Sequence, residues 1–279
     1  MRSSAFGVLF AALLVLAPGA TPWLRAAHAQ TPPPRGPYIS IGLAALAAQG
    51  ARFADGADEG HAPLYGRPEL FTIGDFDTVL LSQAAAGYRF TPRLRFQVGF
   101  GMARQFEFRG TANYPRAGAV QPAAADLRTR QLLAAGFYDV AVWPIGRGLQ
   151  IEPYVGAGIG FTDYRLDNFV QRFPDPDDAA GYLRRGPAGE VPFTGLPSGR
   201  GRSATGMVTV GVAVPMADRV RFDVAYRYTD AGSVGTAAGG DILIVRYHRG
   251  NRSEVEVPIN ETTADFRTHG VLATLRVEF

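Results

Sequence analysis

Apolar and polar side chains alternate one by one along most of the chain beyond residue 37. In residues 220–230, Val220, Phe222, Val224, Tyr226 and Tyr228 share one side of an extended backbone, and Arg221, Asp223, Arg227 and Thr229 share the other. A period of two means a strand with two unlike faces. The pattern recurs in residues 38–47, where Ile39, Ile41 and Leu43 oppose Ser40, Gly42 and Ala44. It returns at about 76–90 and again from residue 94, where Leu94, Phe96, Val98, Phe100 and Met102 oppose Arg95, Gln97, Gly99 and Gly101. Further strands are predicted at about 127–142, 149–166, 204–216 and 266–279. Three connections are short ("TPRL", "WPIGRG", "ADR") and four are long and polar, at about 48–75, 109–126, 167–202 and 232–264.

Short and long connections alternate strictly, and most strands reach the 9–11 residues a tilted membrane strand needs. Strands of soluble sandwiches run nearer 5–6 residues. The pattern predicts an all-β fold: an eight-stranded antiparallel up-and-down transmembrane β-barrel with short periplasmic turns and four long extracellular loops. "DILIVRY" and "SEVEVPI" around "HRGN" read as a hairpin above the membrane; two further membrane strands, making ten, are the alternative.

Membrane hydrocarbon leaves no unpaired backbone group satisfied, so such strands must close into a ring with their apolar side chains facing lipid. Arg89, Arg95, Asp139, Glu152, Arg221, Asp223, Arg227, Arg276 and Glu278 then point into the bore, where buried charges need partners. Inward glycines are expected to leave room for the long arginines. Tyr88, Phe90, Tyr138, Trp143, Tyr226, Tyr228 and Phe279 stand near strand ends, where an aromatic girdle belongs. A secreted lipocalin-like barrel or sandwich would also alternate, with its faces reversed. It accounts less well for the connection lengths and the glycines on the polar face.

The N-terminus carries an address. Arg2 is followed by an apolar run from about Phe6 to Ala17, and Ala27-His28-Ala29 forms a small-x-small cleavage site. This is the plan of a secretory signal over residues 1–29, with the mature chain at 30–279 and a stiff proline-rich lead-in at 30–37. The run is too short to span a membrane as a helix. The 279 residues include no cysteine, which removes disulfides, thiolate catalysis and Cys-ligated zinc. The net charge is only +3, so no nucleic-acid partner is expected. Every basic side chain apart from four histidines is arginine, as codon bias or a preference for gripping phosphate would produce.

"PYVGAGIG", "FDVAYRYTDAG" and the closing "LATLRVEF" resemble the opacity-protein or porin-family small outer-membrane barrels, and the eight-stranded membrane domain of the outer-membrane protein A family. The likeness covers residues 36–279. It implies a bacterial outer-membrane location, insertion by the barrel-assembly machinery through the terminal Phe279, and contact with outer-membrane lipid and lipopolysaccharide. No peptidoglycan-binding domain is expected after the last strand.

Candidate chemistry is thin. Lipid A-modifying barrels hydrolyse with a histidine-activated serine. His61, His248 and His269 do not stand in the His-x-Ser arrangement of the deacylases. Asp175, Asp177 and Asp178 lack the glycine and distal glutamate of a calcium loop. No cofactor, metal or enzymatic activity is expected. The expected role is structural or surface recognition, with an extracellular ligand engaged through the loops. A narrow low-conductance pore is the alternative, since eight strands enclose a space that side chains just fill.

Overall fold

The computed structural model describes residues 35–57, 60–113, 121–146, 149–173 and 184–279. The predicted signal with its cleavage residues Ala27 and Ala29, and the acidic run Asp175 to Asp178, lie outside the described residues. The strands in chain order are β1 (Gly36–Ala48), β2 (Ala51–Asp55), β3 (Thr72–Phe76), β4 (Thr78–Arg89), β5 (Leu94–Ala103), β6 (Phe106–Ala112), β7 (Gln121–Asp139) and β8 (Trp143–Gly146). They continue with β9 (Leu149–Arg172), β10 (Phe193–Gly195), β11 (Gly199–Ala217), β12 (Val220–Gly235), β13 (Asp241–His248), β14 (Asn251–Pro258) and β15 (Thr262–Glu278).

Antiparallel pairing runs β1–β4–β5–β7–β9–β11–β12–β15 and returns from β15 to β1, which closes a ring of eight. Beyond the outer ends of β1, β4 and β5, the short strands β2, β3 and β6 take over, pairing β15–β2–β3–β6–β7, so the ring stays closed there too. The β13–β14 hairpin pairs through β10 to β9 and is no part of the ring. This resolves the eight-or-ten question in favour of eight. Of the inner turns, residues 90–93 are held by the Thr91 hydroxyl, which accepts from the amides of Arg93 and Leu94 at 3.2 and 2.9 Å.

The outer connections are shorter than the polar pattern suggests, because the strands continue as strands past the lipid. Along β9 the outward positions Val155, Ala157, Ile159 and Phe161 are exposed and apolar, and the next ones are Asp163 and Arg165. Along β7 the outward series Tyr138, Ala134, Leu132 passes to Arg130, Arg128, Asp126; along β15, Leu275, Ala273, Val271 pass to Arg267 and Asp265. The inward series switches in the opposite sense. On β15 it goes from Glu278, Arg276 and Thr274 to Phe266 and Ala264, and on β7 from Asp139 to Leu127, Ala125 and Ala123. The backbone alternation is unchanged; the medium outside it turns from hydrocarbon to water. The apolar stretch of β9, residues 151–161, is about the length that crosses a bilayer. The ten or so residues beyond it rise roughly 25 Å above the lipid at 3.3 Å per residue and a tilt near 40°.

Two bulges tune the outer section. Between Asp126↔Asp167 and Ala124↔Val170, β9 carries one extra residue, Asn168, with φ of 55°. Asparagine tolerates the left-handed region better than most side chains. The shift turns Phe169 and Gln171 inward. β12 has its extra residue at Gly232 (φ 70°), between Asp230↔Arg267 and Ser233↔Asp265, which turns Val234 inward.

Substituting Val155 by arginine places a charge near mid-membrane and should cost about 2–4 kcal/mol of folding free energy in lipid vesicles, whereas Arg165→Val, above the lipid, should stay within about 0.5 kcal/mol. Urea titrations of vesicle-inserted protein, followed through Trp143, measure both; equal costs would show that the boundary is misplaced.

Candidate functional site: the bore and its outer rim

The bore has three stacked sections. The innermost contains the nine charged residues proposed for the lumen, all facing the axis and all under one-tenth exposed. Asp139 accepts from Arg89 and from Arg95 Nε (3.3 Å). Arg89 reaches Glu278 at 2.8 Å, Glu278 also takes Arg276, and Arg276 donates two bonds to Asp223 at 3.0 and 3.1 Å. Arg221 binds Glu152 at 3.2 Å and lies 3.7 Å from Glu278. The result is one branched ionic lattice centred on Glu278. Four of the five guanidiniums belong to it; the fifth, Arg227, donates to Gln83 at 2.8 Å.

Charges alone do not fill this section. The Arg95 guanidinium lies 4.5 and 4.6 Å from the ring centres of Phe137 and Tyr154, so it is stacked as well as paired. The inward glycines serve these rings rather than arginine. A Cβ on Gly87 would meet the Tyr38 ring at 2.4 Å, and one on Gly211 would meet Tyr154 at 2.7 Å. Glycine there lets a ring lie flat against the barrel wall.

Further out the bore is dry. Phe53, Phe76, Phe106, Phe108, Phe169 and Phe266 pack together with Leu127 and Leu166. Their rings meet edge to face at 4.9 Å (Phe53–Phe169), 5.1 Å (Phe53–Phe108, Phe106–Phe266) and 5.3 Å (Phe76–Phe266). The polar bore expected from the sequence does not extend to this level. The signal of this phenylalanine plug is present in "FEFR" and "DFR", where phenylalanines alternate with charges in the phase opposite to the membrane stretch. Above it, the first outer segment folds across the mouth. The Tyr65 hydroxyl lies 2.7 Å from Thr72 Oγ1, Gln171 donates to both at 3.0 and 2.9 Å, and Asp55 accepts from the amides of Leu64, Tyr65 and Gly66.

Outside, Tyr88, Phe90, Tyr138, Trp143 and Phe279 lie about half exposed around the periplasmic end of the ring. Tyr226 and Tyr228, expected near a strand end, instead lie midway along β12, below Asp230, because the strand continues past the lipid; Tyr226 contacts His269 with ring centres 6.0 Å apart. His269 therefore faces outward near the girdle. His248 is at the tip of the β13–β14 hairpin, and His61 is in the first outer segment against Gly239. Among the described residues no group of three His, Asp or Glu side chains is placed to hold a metal ion.

One side of the outer rim is basic. Arg130, Asp163 and Arg202 form a row across β7, β9 and β11, with Arg128 and Arg165 opposite each other in the next row. Arg202 grips Asp163 with bonds of 2.7 and 3.1 Å, and this holds the Asp163 carboxyl below the usual carboxylate range. An ionised carboxylate thus lets two guanidiniums stand side by side. Directly below are the rows Leu132–Phe161–Ala204 and Ala134–Ile159–Gly206. Their small members open a shallow lipid-facing groove of about 720 Å³. Neither the rim nor the groove is evident in any single strand, since both form across three.

A closed ring with an apolar belt, aromatic margins and a polar bore is an integral membrane β-barrel, the kind of protein that resides in the bacterial outer membrane. No protein-family model matches the chain, and no curated protein matches it in sequence. Solved structures with a similar arrangement include Neisserial surface protein A, at 18% identity over 88% of this chain and 97% of that one, with a TM-score of 0.42. Outer membrane protein AlkL shares 13% identity over 90% and 95% of the two chains (TM-score 0.40). OprG from Pseudomonas aeruginosa shares 15% over 85% and 95% (TM-score 0.36).

Replacing Glu278 with glutamine removes the anion at the centre of the lattice while keeping its shape. Leaving buried guanidiniums short of charge should cost about 3–5 kcal/mol, read as a lower urea midpoint and loss of the heat-modifiable band on gels. Arg202→Gln, at the exposed rim, should change stability by less than about 1 kcal/mol.

Proposed function

We propose that the protein is a plugged, non-conducting envelope barrel that holds phosphorylated outer-leaflet lipid, lipopolysaccharide in a Gram-negative bacterium, against its β7–β9–β11 face and displays its outer segments for recognition. The observation that carries the reading is the row Arg130–Asp163–Arg202 set directly above an apolar groove. Guanidiniums bind phosphate with two parallel bonds, and the groove offers an acyl chain a recessed apolar track. At the edge of the groove, on β12 beside β11, Asp230 is neutralised by Arg267, which Asp265 also contacts. The basic row and the groove therefore adjoin on the β7–β9–β11 face.

The bore supports the non-conducting part. A solute moving along the axis would have to part an ionic lattice and then a six-phenylalanine plug. The outer segments, carried on a rigid wall that rises well above the lipid, are suited to presenting a binding surface.

Refolded protein in micelles should bind fluorescent lipopolysaccharide, and the Arg130→Ala/Arg202→Ala pair should weaken that binding about tenfold while leaving the unfolding midpoint nearly unchanged. Planar bilayers containing the wild type should stay silent. Unaltered lipopolysaccharide binding in the double variant would remove the lipid assignment, and regular conductance steps would remove the plugged-barrel assignment.

A further inference from the structure

Arg227 stands apart from the other lumen cations. Arg89, Arg95, Arg221 and Arg276 each contact a carboxylate, and the four lumen carboxylates are all engaged by them. Arg227 is 7% exposed. Its guanidinium donates to the neutral carboxamide of Gln83, and its Nε has no protein partner. The uncompensated positive charge of the bore is therefore localised at one side chain, on the boundary between the ionic section and the apolar plug. An isolated buried charge is costly unless something of opposite sign accompanies it.

A cavity of about 20 Å³ adjoins Arg227. Its polar lining is the Arg227 guanidinium and the carboxamides of Gln83, Gln97 and Gln131, and no carboxylate lines it. The Gln83 carbonyl is occupied by Arg227, and the Gln97 carbonyl accepts from the Tyr38 hydroxyl at 3.3 Å. Both residues are left with their NH₂ groups as the donors available to the cavity. The remaining walls, Leu81, Leu133, Ala135 and Met207 among them, are apolar. A pocket the size of one water, with a fixed cation and a set of donors, suits a small anion. A second cavity of similar size on Arg227 differs, because Asp223 lines it together with Arg95 and Arg276, and an anion there would face a carboxylate.

We propose that the cavity bounded by Arg227, Gln83, Gln97 and Gln131 binds one small monovalent inorganic anion, chloride in ordinary media, as the internal counter-ion of Arg227. The site is enclosed by the barrel wall and independent of the lipid face. Its size excludes sulfate, phosphate and any organic acid.

Two measurements on the refolded full barrel test this. Thermal midpoints are recorded in chloride and bromide and, at equal ionic strength, in sulfate. The wild type should be more stable in the halides, with a midpoint rising with the logarithm of halide concentration. Arg227→Gln should abolish that dependence, and Gln97→Leu, which keeps the cation, should weaken it. Crystals grown in bromide should show an anomalous peak between Arg227 and the three glutamines. Midpoints that shift identically in wild type and both variants, or a bromide peak only at rim arginines such as Arg130, an adventitious ion only, would overturn the proposal. Should Arg227→Gln fail to fold, the Gln97→Leu series and the bromide peak decide it.

Discussion

Everything in this molecule follows from the need to satisfy backbone amides in hydrocarbon. A strand in lipid has no water to bond, so its N–H and C=O groups must be met by neighbouring strands on both sides, and only a ring provides that. Once β15 pairs with β1, each side chain has two destinations, and the medium beyond the wall decides which type goes where. The same wall is inside-out in the membrane and conventional above it. Val155 and Arg165 lie on the same face of one strand; they differ only in what surrounds them.

The bore shows how an interior is filled at each level. Where the outside is apolar, the inside is polar and must neutralise itself, hence an ionic lattice with Glu278 at its branch point. Removing one member of such a lattice is more damaging than the bonds alone suggest, because its partners remain desolvated. Where the outside is wet, the interior becomes an ordinary hydrophobic core of phenylalanines, each worth about 1.5–3 kcal/mol on burial. The protein thus combines a membrane anchor with a segment that resembles a small soluble barrel, on continuous strands such as β9 and β11.

The ring was legible in the sequence because period-two alternation survives every change of environment, and because short and long connections count the hairpins. The direction in which Arg89, Arg95, Asp139, Glu152, Arg221, Asp223, Arg227, Arg276 and Glu278 point follows from parity alone. Their partners do not. Arg221 meets Glu152 across 69 residues, and Arg89 meets Glu278 across 189; which positions share a level depends on the stagger of the ring. The outer wall reads as loop in the sequence because polar outward residues there resemble those of a loop. The change of phase between Arg267 and His269 on β15, or between Arg130 and Leu132 on β7, is the readable sign that strand continues. The bulge at Asn168 leaves no clear local trace, yet it alone brings Phe169 into the plug.

The β13–β14 hairpin has a different consequence. A closed ring has no selvage, but the sheet branches from β9 through β10 and β13 and ends at β14. β14 is exposed along most of its length, and among the described residues its backbone is paired on one flank only. Arg252, Glu254 and Glu256 stud the strand and Pro258 ends it, features that discourage chains from zipping onto one another. Above the membrane this is the seam along which two copies would stitch together, and its charges and proline work against that.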